Sequence, residues 1–287
     1  MAMAPVAFRA ESLPLPDEFD GGERDELEWS ARIDLANAYR VVAKLGAMDW
    51  GWTHCVYNHI TLKLPDACKT EDGRPLFLIN PFGCRFDEVT PGCLHTVDLD
   101  GSIVRHGAAI PGVLAVAGMP VLVAGFTIHS AVHAAREDIK AIFHTHHPDV
   151  VAVSALKCGL LPCSNEGCLS LALLSKTRHS FEGTATDPAE KLRLAESLGP
   201  TAMTLILDNH GVVACGNTLQ AALRNIWVYT KASTYQVRAL TAAGGDVDRL
   251  LLVPPEVVAG CIERELKQQK DPLGEVEFEA WLRGCAI

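Results

Sequence analysis

Three histidines stand close together in the stretch AIFHTHHPDV, residues 141–150. Side chains two residues apart in a β-strand point to the same side, so His144 and His146 can direct both imidazoles at one point while His147 faces away. Two neutral imidazoles on one face suit a divalent transition metal. The same HxH spacing is also typical of an ordinary strand end, so it leaves both interpretations open.

A third candidate ligand follows a second apolar run. In LILDNHGVV, His210 comes just before Gly211, where a turn at the tip of a neighbouring strand would deliver it to the first pair. Three histidines with one open position are typical of catalytic metal sites, whereas closed structural sites use four protein ligands, usually with sulfur. His129 and His133 form a competing pair four residues apart on a helix face, but no partner follows them, which favours a packed polar face.

Strands and helices alternate around these residues. ELEWSARIDLANAYRVVAKLGAM has apolar residues every three or four positions and predicts a helix, whereas CVYNHITLKLP and LFLINPFG predict short strands. HTVDLDGSIV has an Asp-Gly turn between two strand-like runs, which predicts a hairpin. Mixed elements over one continuous length indicate a layered α/β domain.

The second half of the chain repeats this alternation. IHSAVHAARED predicts a helix, IKAIFHTH a strand, and PDVVAVSAL a helix with Pro148 in its first turn. AMTLILDNHGVVACG predicts two strands, and a long helix follows that ends at Gly244 and Gly245. We divide the chain into an N-terminal arm (1–23), one α/β domain (24–245) and a C-terminal helical extension (246–287).

Composition limits the classes of function. With 25 basic and 35 acidic residues, a net charge of −10 and no basic run, the chain predicts no nucleic-acid partner. Ten cysteines without a CxxC pair, and no signal peptide, predict reduced thiols and a cytoplasmic location. Residues 107–128 are uncharged over a length that could span a bilayer, but two prolines and four glycines favour a buried turn and strand, so we expect no membrane contact.

Several motifs together resemble the class II aldolase and adducin N-terminal family: YNHITLKLP, INPFG, VDLDG, AGFTIHSAVHAARED, IFHTHHP and LDNHGVVACGNTLQAAL. The resemblance covers about residues 28–245 and implies a three-layer α/β/α sandwich around a mixed, largely antiparallel central sheet. It also implies a homotetramer with sites at subunit boundaries. His144, His146 and His210 would hold a divalent metal, usually zinc, with manganese, cobalt or iron as alternatives.

The sequence departs from the sugar-phosphate aldolases of this family at two places. They carry a glutamate, which moves the proton in aldol cleavage, one helical turn before the histidine that matches His129; here that position is Gly125. Their phosphate-binding turn is rich in Ser, Thr and Gly, whereas NPFG places Phe82 at its centre. A smaller substrate, aromatic or carboxylate-bearing, fits these differences better than a sugar phosphate.

The remaining candidate residues have weaker support. Asn58 matches an asparagine that binds substrate oxygen in the family, and Asn80 lies in the neighbouring turn; either could instead cap its own turn. Phe82 and His129 complete the predicted substrate site. Glu166 is the leading replacement acid or base and Glu182 a weaker one, although both could be exposed loop carboxylates.

These observations predict a divalent-metal-dependent carbon–carbon lyase, of the aldolase or decarboxylase type, that acts on a small keto or hydroxy acid through a metal-stabilised enolate. Gly125 favours decarboxylation, because loss of carbon dioxide creates the enolate without a base. Two alternatives remain. One is a non-catalytic binding or assembly module that resembles the adducin head, and the other is an iron-dependent oxygenase on the same scaffold.

Overall fold

Seven strands and eight α-helices make up the described part of the chain, which in the computed structural model comprises residues 22–49, 56–110, 121–184, 187, 189–268 and 274–285. In chain order they are α1 Glu23–Asp49, β1 His59–Lys63, β2 Phe77–Ile79, β3 His95–Val97, β4 Ile103–Arg105, α2 Val123–Ala135, β5 Ala141–Thr145, α3 Pro148–Ser154, α4 Asn165–Leu173, α5 Glu190–Leu198, β6 Thr204–Leu207, β7 Gly211–Gly216, α6 Leu219–Ala242, α7 Pro255–Gln268 and α8 Glu275–Cys285. Most of the predicted N-terminal arm lies outside the described residues.

The strands form one sheet in the order β4-β3-β2-β1-β5-β7-β6, and all six neighbouring pairs are antiparallel. Two isolated parallel bridges, Leu174 with Thr204 and His179 with Leu207, add to the β6 edge. The central pairing of β1 with β5 joins segments about eighty residues apart and sets His59 directly opposite His144. This register decides which side chains share the site.

Helices cover both faces of the sheet. Ala141 and Phe143 of β5 face a core cluster with buried residues of α1, α3 and α6. Ile142, between them, faces a second cluster with residues of α2 and α5, as the period of two in a strand requires. The predicted three-layer sandwich around a largely antiparallel sheet is therefore confirmed.

Local signals in the sequence explain several element ends. Pro148 opens α3, where its missing N–H costs no helical hydrogen bond. Gly101 turns the β3–β4 hairpin with a φ of 86°, and Gly244 and Gly245, with φ values of 71° and 83°, follow the end of α6. These boundaries match the sequence prediction.

The uncharged segment 107–128 differs from the prediction in one part. Residues 123–128 form the start of α2 rather than a strand, and residues 111–120 lie outside the described part. Most of α2 is buried, so its sequence lacks the polar stripe that distinguishes a surface helix from a buried strand. Among the described helices, none is long and apolar enough to cross a membrane.

Two helices, α7 and α8, follow the long helix α6, in the region that the sequence analysis assigned to a C-terminal extension. Arg224 of α6 pairs with the buried Glu265 of α7 at 2.6 Å. Phe278 and Cys285 of α8 belong to the same core cluster as α1 and α6, and the Trp227 and Trp281 rings lie 5.6 Å apart. The extension is thus packed into the main core.

Candidate metal centre

Three histidines meet at the end of the central strands. His144 is the fourth residue of β5, His146 follows the end of that strand, and His210 lies in the turn between β6 and β7. One ligand atom from each of the three lies within 4.8 Å of the others. The structure therefore brings together all three predicted metal ligands.

The turn that presents His210 has an unusual backbone. Asn209 has a φ of 56°, a conformation that asparagine tolerates better than most residues, and Gly211 has a φ of 151°. A side chain at Gly211 would collide with the backbone carbonyl of Thr145, so glycine lets β7 approach β5 closely. The backbone conformation of this turn therefore explains the asparagine and the glycine that flank His210 in the NHG motif.

The hydrogen bonds of His144 leave one nitrogen suited to a cation. Its Nδ1 lies 3.0 Å from the carbonyl oxygen of Val212, which can only accept, so Nδ1 carries the proton and Nε2 has a lone pair. That lone pair points at Nε2 of His146, 2.7 Å away. A ligand histidine that donates its second N–H to a backbone carbonyl is a recurring feature of metal sites. This donor set fits a divalent transition metal.

Burial favours the neutral form of two of these imidazoles, those of His144 and His210. Desolvation, followed by the neighbouring histidines, holds the pKa of His144 well below its ordinary value. Burial also lowers the pKa of His210, with a smaller effect from His179. Metals bind the neutral ring, so low pKa values keep protons from competing for these nitrogens near neutral pH.

A cavity of about 380 Å³ opens beside the three histidines. Its wall is mainly apolar and aromatic, with Tyr57 and Phe181 about half exposed. Among the described residues that line it, there is no Asp, Glu, Lys or Arg. The cavity can hold a small molecule that presents oxygen atoms to the histidines and apolar surface to the rest of the wall.

The two predicted asparagines are buried and are not among the described residues that line the cavity. Oδ1 of Asn58 accepts a hydrogen bond from the backbone N–H of His146, at 3.3 Å. Oδ1 of Asn80 accepts a hydrogen bond from the hydroxyl of the fully buried Tyr39, at 2.7 Å.

Phe82 and His147 lie outside the described cavity wall. The centroid of the Phe82 ring lies 6.3 Å from that of Tyr57, which lines the cavity. His147 faces away, as expected, and caps α3 by accepting from the N–H of Asp149.

The two predicted acid or base carboxylates do not reach this cavity. Glu166 lies in the first turn of α4, a helix that packs on α6 and α7. Glu182 is held by Arg193 in a two-oxygen ion pair near the surface. That ion pair, chiefly its hydrogen bonds, lowers the pKa of Glu182, which keeps the carboxylate ionised and occupied. The geometry therefore does not favour either residue as the acid or base.

His129 also differs from its predicted role in substrate binding. It is fully buried and both of its nitrogens are engaged, Nε2 with Nδ1 of His59 at 2.9 Å and Nδ1 with Oγ1 of Thr61 at 2.7 Å. Nε2 of His133 lies 2.9 Å from the same hydroxyl. The His129–His133 pair thus shares a threonine rather than a metal, which agrees with the packed polar face favoured from the sequence.

His59 lies at the site although it was not predicted as a site residue. Its side chain lines the cavity, and its ring stacks on His144 with the centroids 5.2 Å apart. Burial, more than the nearby histidines, lowers the pKa of His59 to about 3. In the strand predicted for this segment, alternate side chains point to opposite faces, so His59 and Thr61 lie on the face opposite Ile60 and Leu62. Only the pairing with β5 shows that this face meets the site.

Comparisons with known proteins agree with this architecture. A family model described as Class II Aldolase and Adducin N-terminal domain matches residues 34–237. Alpha-adducin of Mus musculus is 39% identical over 268 residues, which are 90% of this chain and 33% of the adducin. The chain therefore spans about a third of the length of this relative.

Two solved structures extend the comparison. An aldolase II superfamily protein from Pseudomonas syringae superimposes with a TM-score of 0.76 at 34% identity, over 92% of this chain and 96% of that one. The L-fuculose 1-phosphate aldolase from Glaciozyma antarctica gives a TM-score of 0.70 at 24% identity, over 93% and 92% of the two chains. The second likeness concerns the fold alone.

Proposed function

Because this chain belongs to the class II aldolase and adducin N-terminal domain family, we propose that it is a divalent-metal-dependent carbon–carbon lyase for a small keto or hydroxy acid. The observation that carries the proposal is the convergence of His144, His146 and His210 beside a mainly apolar cavity. Zinc is the proposed metal, since three imidazoles with an open position suit it well. The homotetramer, the domain limits and the cytoplasmic location stay predictions.

One set of side chains would hold the metal, and another would surround the apolar part of the substrate. A bound divalent ion would polarise a carbonyl or carboxylate oxygen and stabilise the negative charge that develops there. The carbonyl of Val212 orients the His144 ring, and Asn58 holds the backbone N–H of His146. Tyr57, Phe181 and the aliphatic wall exclude water from the apolar part of the substrate, which strengthens the polar interactions at its oxygen atoms.

Within this class, the cavity favours decarboxylation over aldol cleavage. Aldol cleavage requires a base to take a proton from the substrate hydroxyl, and no carboxylate is present among the described residues of the cavity wall. Loss of carbon dioxide leaves the electron pair on carbon without such a base. The protein then has to hold the acid group in position and neutralise charge on the neighbouring oxygen.

Metal content tests the first half of the proposal. Purified protein supplied with Zn²⁺ should hold about one equivalent per chain, and His210→Ala should lose most of it because two histidines remain. His147→Asn is the matched control, since it changes a histidine of the same motif that caps α3, and asparagine also caps helices. A full equivalent in His210→Ala would remove His210 from the site.

A substrate panel tests the second half. Metal-loaded protein should release carbon dioxide from at least one small keto or hydroxy acid, and His210→Ala should reduce that rate in proportion to its metal content. Activity only towards sugar phosphates would contradict the proposed substrate class. Activity that requires Fe²⁺ and oxygen would instead support the oxygenase.

A binding module without catalytic activity is the second candidate, because alpha-adducin is 39% identical over most of this chain. The metal separates the two candidates. A binding module has no need for three neutral imidazoles around an open position, whereas a lyase does. Protein that holds much less than one metal equivalent after supply with Zn²⁺, Mn²⁺, Co²⁺ and Fe²⁺ would favour the module.

A further inference from the structure

His59 and Gly125 share one space at the wall of the cavity. A β-carbon built on Gly125 would lie 2.8 Å from Cε1 of His59, and closer still to Cδ2 and Nε2. Real β-carbons essentially never come within 3.0 Å of another heavy atom. The His59 ring therefore occupies the place that any side chain at position 125 would need.

A chain of buried hydrogen bonds fixes this ring from behind. It runs from Nδ1 of His59 through His129 and the hydroxyl of Thr61 to His133, with separations of 2.9, 2.7 and 2.9 Å. All four side chains are at most 5% exposed. A ring held on one side by this network and on the other by stacking on His144 has little freedom to turn.

This hydrogen-bond network engages Nδ1 of His59 and leaves its Nε2 available to a ligand. Among the described residues, Nε2 has no hydrogen-bond partner, and His59 is part of the cavity wall. Each link holds one proton, so the network has two consistent arrangements. In one arrangement, each group from His133 to His59 donates to the next, and Nε2 of His59, which lies next to Gly125 at the cavity wall, carries a proton. A ligand oxygen that can only accept would select that arrangement.

We propose that His59 binds the substrate: its imidazole occupies the space that a side chain at position 125 would fill, and from there Nε2 donates a hydrogen bond to a carboxylate or keto oxygen beside the metal. This inference rests on the proposed function and specifies which residue recognises the acid group. Gly125 is then a specificity determinant, because only glycine admits the imidazole. We do not assign His59 as a fourth ligand, since the group of potential ligand atoms found among the described residues consists of His144, His146 and His210.

The test uses Co²⁺ as a visible metal and oxalate as an unreactive dicarboxylate probe. Co²⁺ absorption reports the metal site, and its change on addition of oxalate gives a dissociation constant. A hydrogen bond to a charged acceptor contributes about 1.5–3 kcal/mol, so His59→Phe should weaken oxalate binding roughly 10- to 100-fold. The Co²⁺ stoichiometry and the spectrum without oxalate should remain those of the wild type.

Three further variants make the result specific. His59→Gln retains an N–H donor and should bind oxalate with an affinity between those of wild type and His59→Phe. His106→Gln removes an exposed histidine outside the cavity wall and should bind oxalate like the wild type. Gly125→Ala, which displaces the His59 ring, should weaken oxalate binding in the same direction as His59→Phe.

The outcomes separate this inference from the proposed function. Wild-type protein that takes up no Co²⁺ would overturn the proposed function and, with it, the role of His59. Normal Co²⁺ uptake with equal oxalate affinity in wild type and His59→Phe would overturn the role of His59 alone. Loss of Co²⁺ from His59→Gln would make His59 a metal ligand, and Co²⁺-loaded wild type that does not bind oxalate would refute the acid-group assignment.

Discussion

Replacing Gly125 by alanine adds one methyl group at the most crowded point of the site. An ordinary van der Waals contact begins at 3.4 Å, whereas the new β-carbon would lie 2.8 Å from Cε1 of His59. The ring must therefore retreat by at least about 0.6 Å, and further for its nearer atoms, in an interior packed as densely as a crystal. His59 is only 2% exposed and hydrogen-bonded to His129, so retreat disturbs that bond.

Three effects set the size of the change. Overpacking costs about 1–3 kcal/mol, and a buried nitrogen of His129 left without its partner costs about 1–3 kcal/mol. Replacing glycine by alanine within a helix stabilises the folded protein by about 0.5–1 kcal/mol, which offsets part of this loss. We therefore expect Gly125→Ala to lower the free energy of unfolding by about 3 kcal/mol, whereas a glycine-to-alanine change without a steric conflict would raise it.

Urea unfolding of metal-free protein measures this effect, and two comparisons make it decisive. Gly260→Ala lies in helix α7 with no atom near the new methyl group, so it should stabilise the protein by about 0.5–1 kcal/mol. In a His59→Ala background the obstruction is gone, so Gly125→Ala should there be neutral or stabilising. An equal cost of Gly125→Ala in both backgrounds would refute the steric link between the two residues.

Two other predictions concern the buried network behind the site. Thr61→Val removes the hydroxyl that His129 and His133 share, and we expect it to reduce the free energy of unfolding by about 2–4 kcal/mol, because two buried nitrogens lose their partner. Thr127→Val removes a hydroxyl that bonds only within α2, so a similar loss there would contradict this explanation. The second prediction concerns pH. Burial lowers the pKa of His133 from 6.5 to about 3, so the unfolded chain binds a proton between these values and the folded chain does not. Stability should therefore fall as pH falls below 6.5, by about 1.4 kcal/mol per pH unit for this histidine. His133→Gln should show a pH dependence weaker by that amount in metal-free protein, and an unchanged slope would contradict the assignment.

Local sequence patterns predicted which three histidines lie together, and most of the elements, because those features depend largely on neighbours along the chain. His144 and His146 follow from strand alternation, and the turn at His210 follows from its Asn and Gly neighbours. The start of α3 at Pro148 and the end of α6 before Gly244 have equally local causes. The sandwich itself was predicted through the family resemblance.

The features that escaped prediction depend on contacts between distant segments. His59 belongs to the site because β1 pairs with β5, and no pattern within β1 specifies that neighbour. The sequence showed that Gly125 stands where the sugar-phosphate aldolases carry a glutamate. It did not show that the His59 ring occupies the space of the absent side chain. Glu166 was predicted as an acid or base, yet it lies on α4, which packs on α6 and α7. Where α4 packs depends on segments distant in sequence, which no pattern around Glu166 specifies.

The C-terminal helices determine how much of the chain must fold together. The family model ends at residue 237, but Phe278 and Cys285 of α8 lie in the same core cluster as α1 and α6. Glu265 of α7 is the buried partner of Arg224, and Trp281 packs beside Trp227. A chain truncated after residue 245 would expose this apolar surface to water and remove an acidic partner of Arg224. The cooperative folding unit is therefore longer than the region that carries the family's sequence signature.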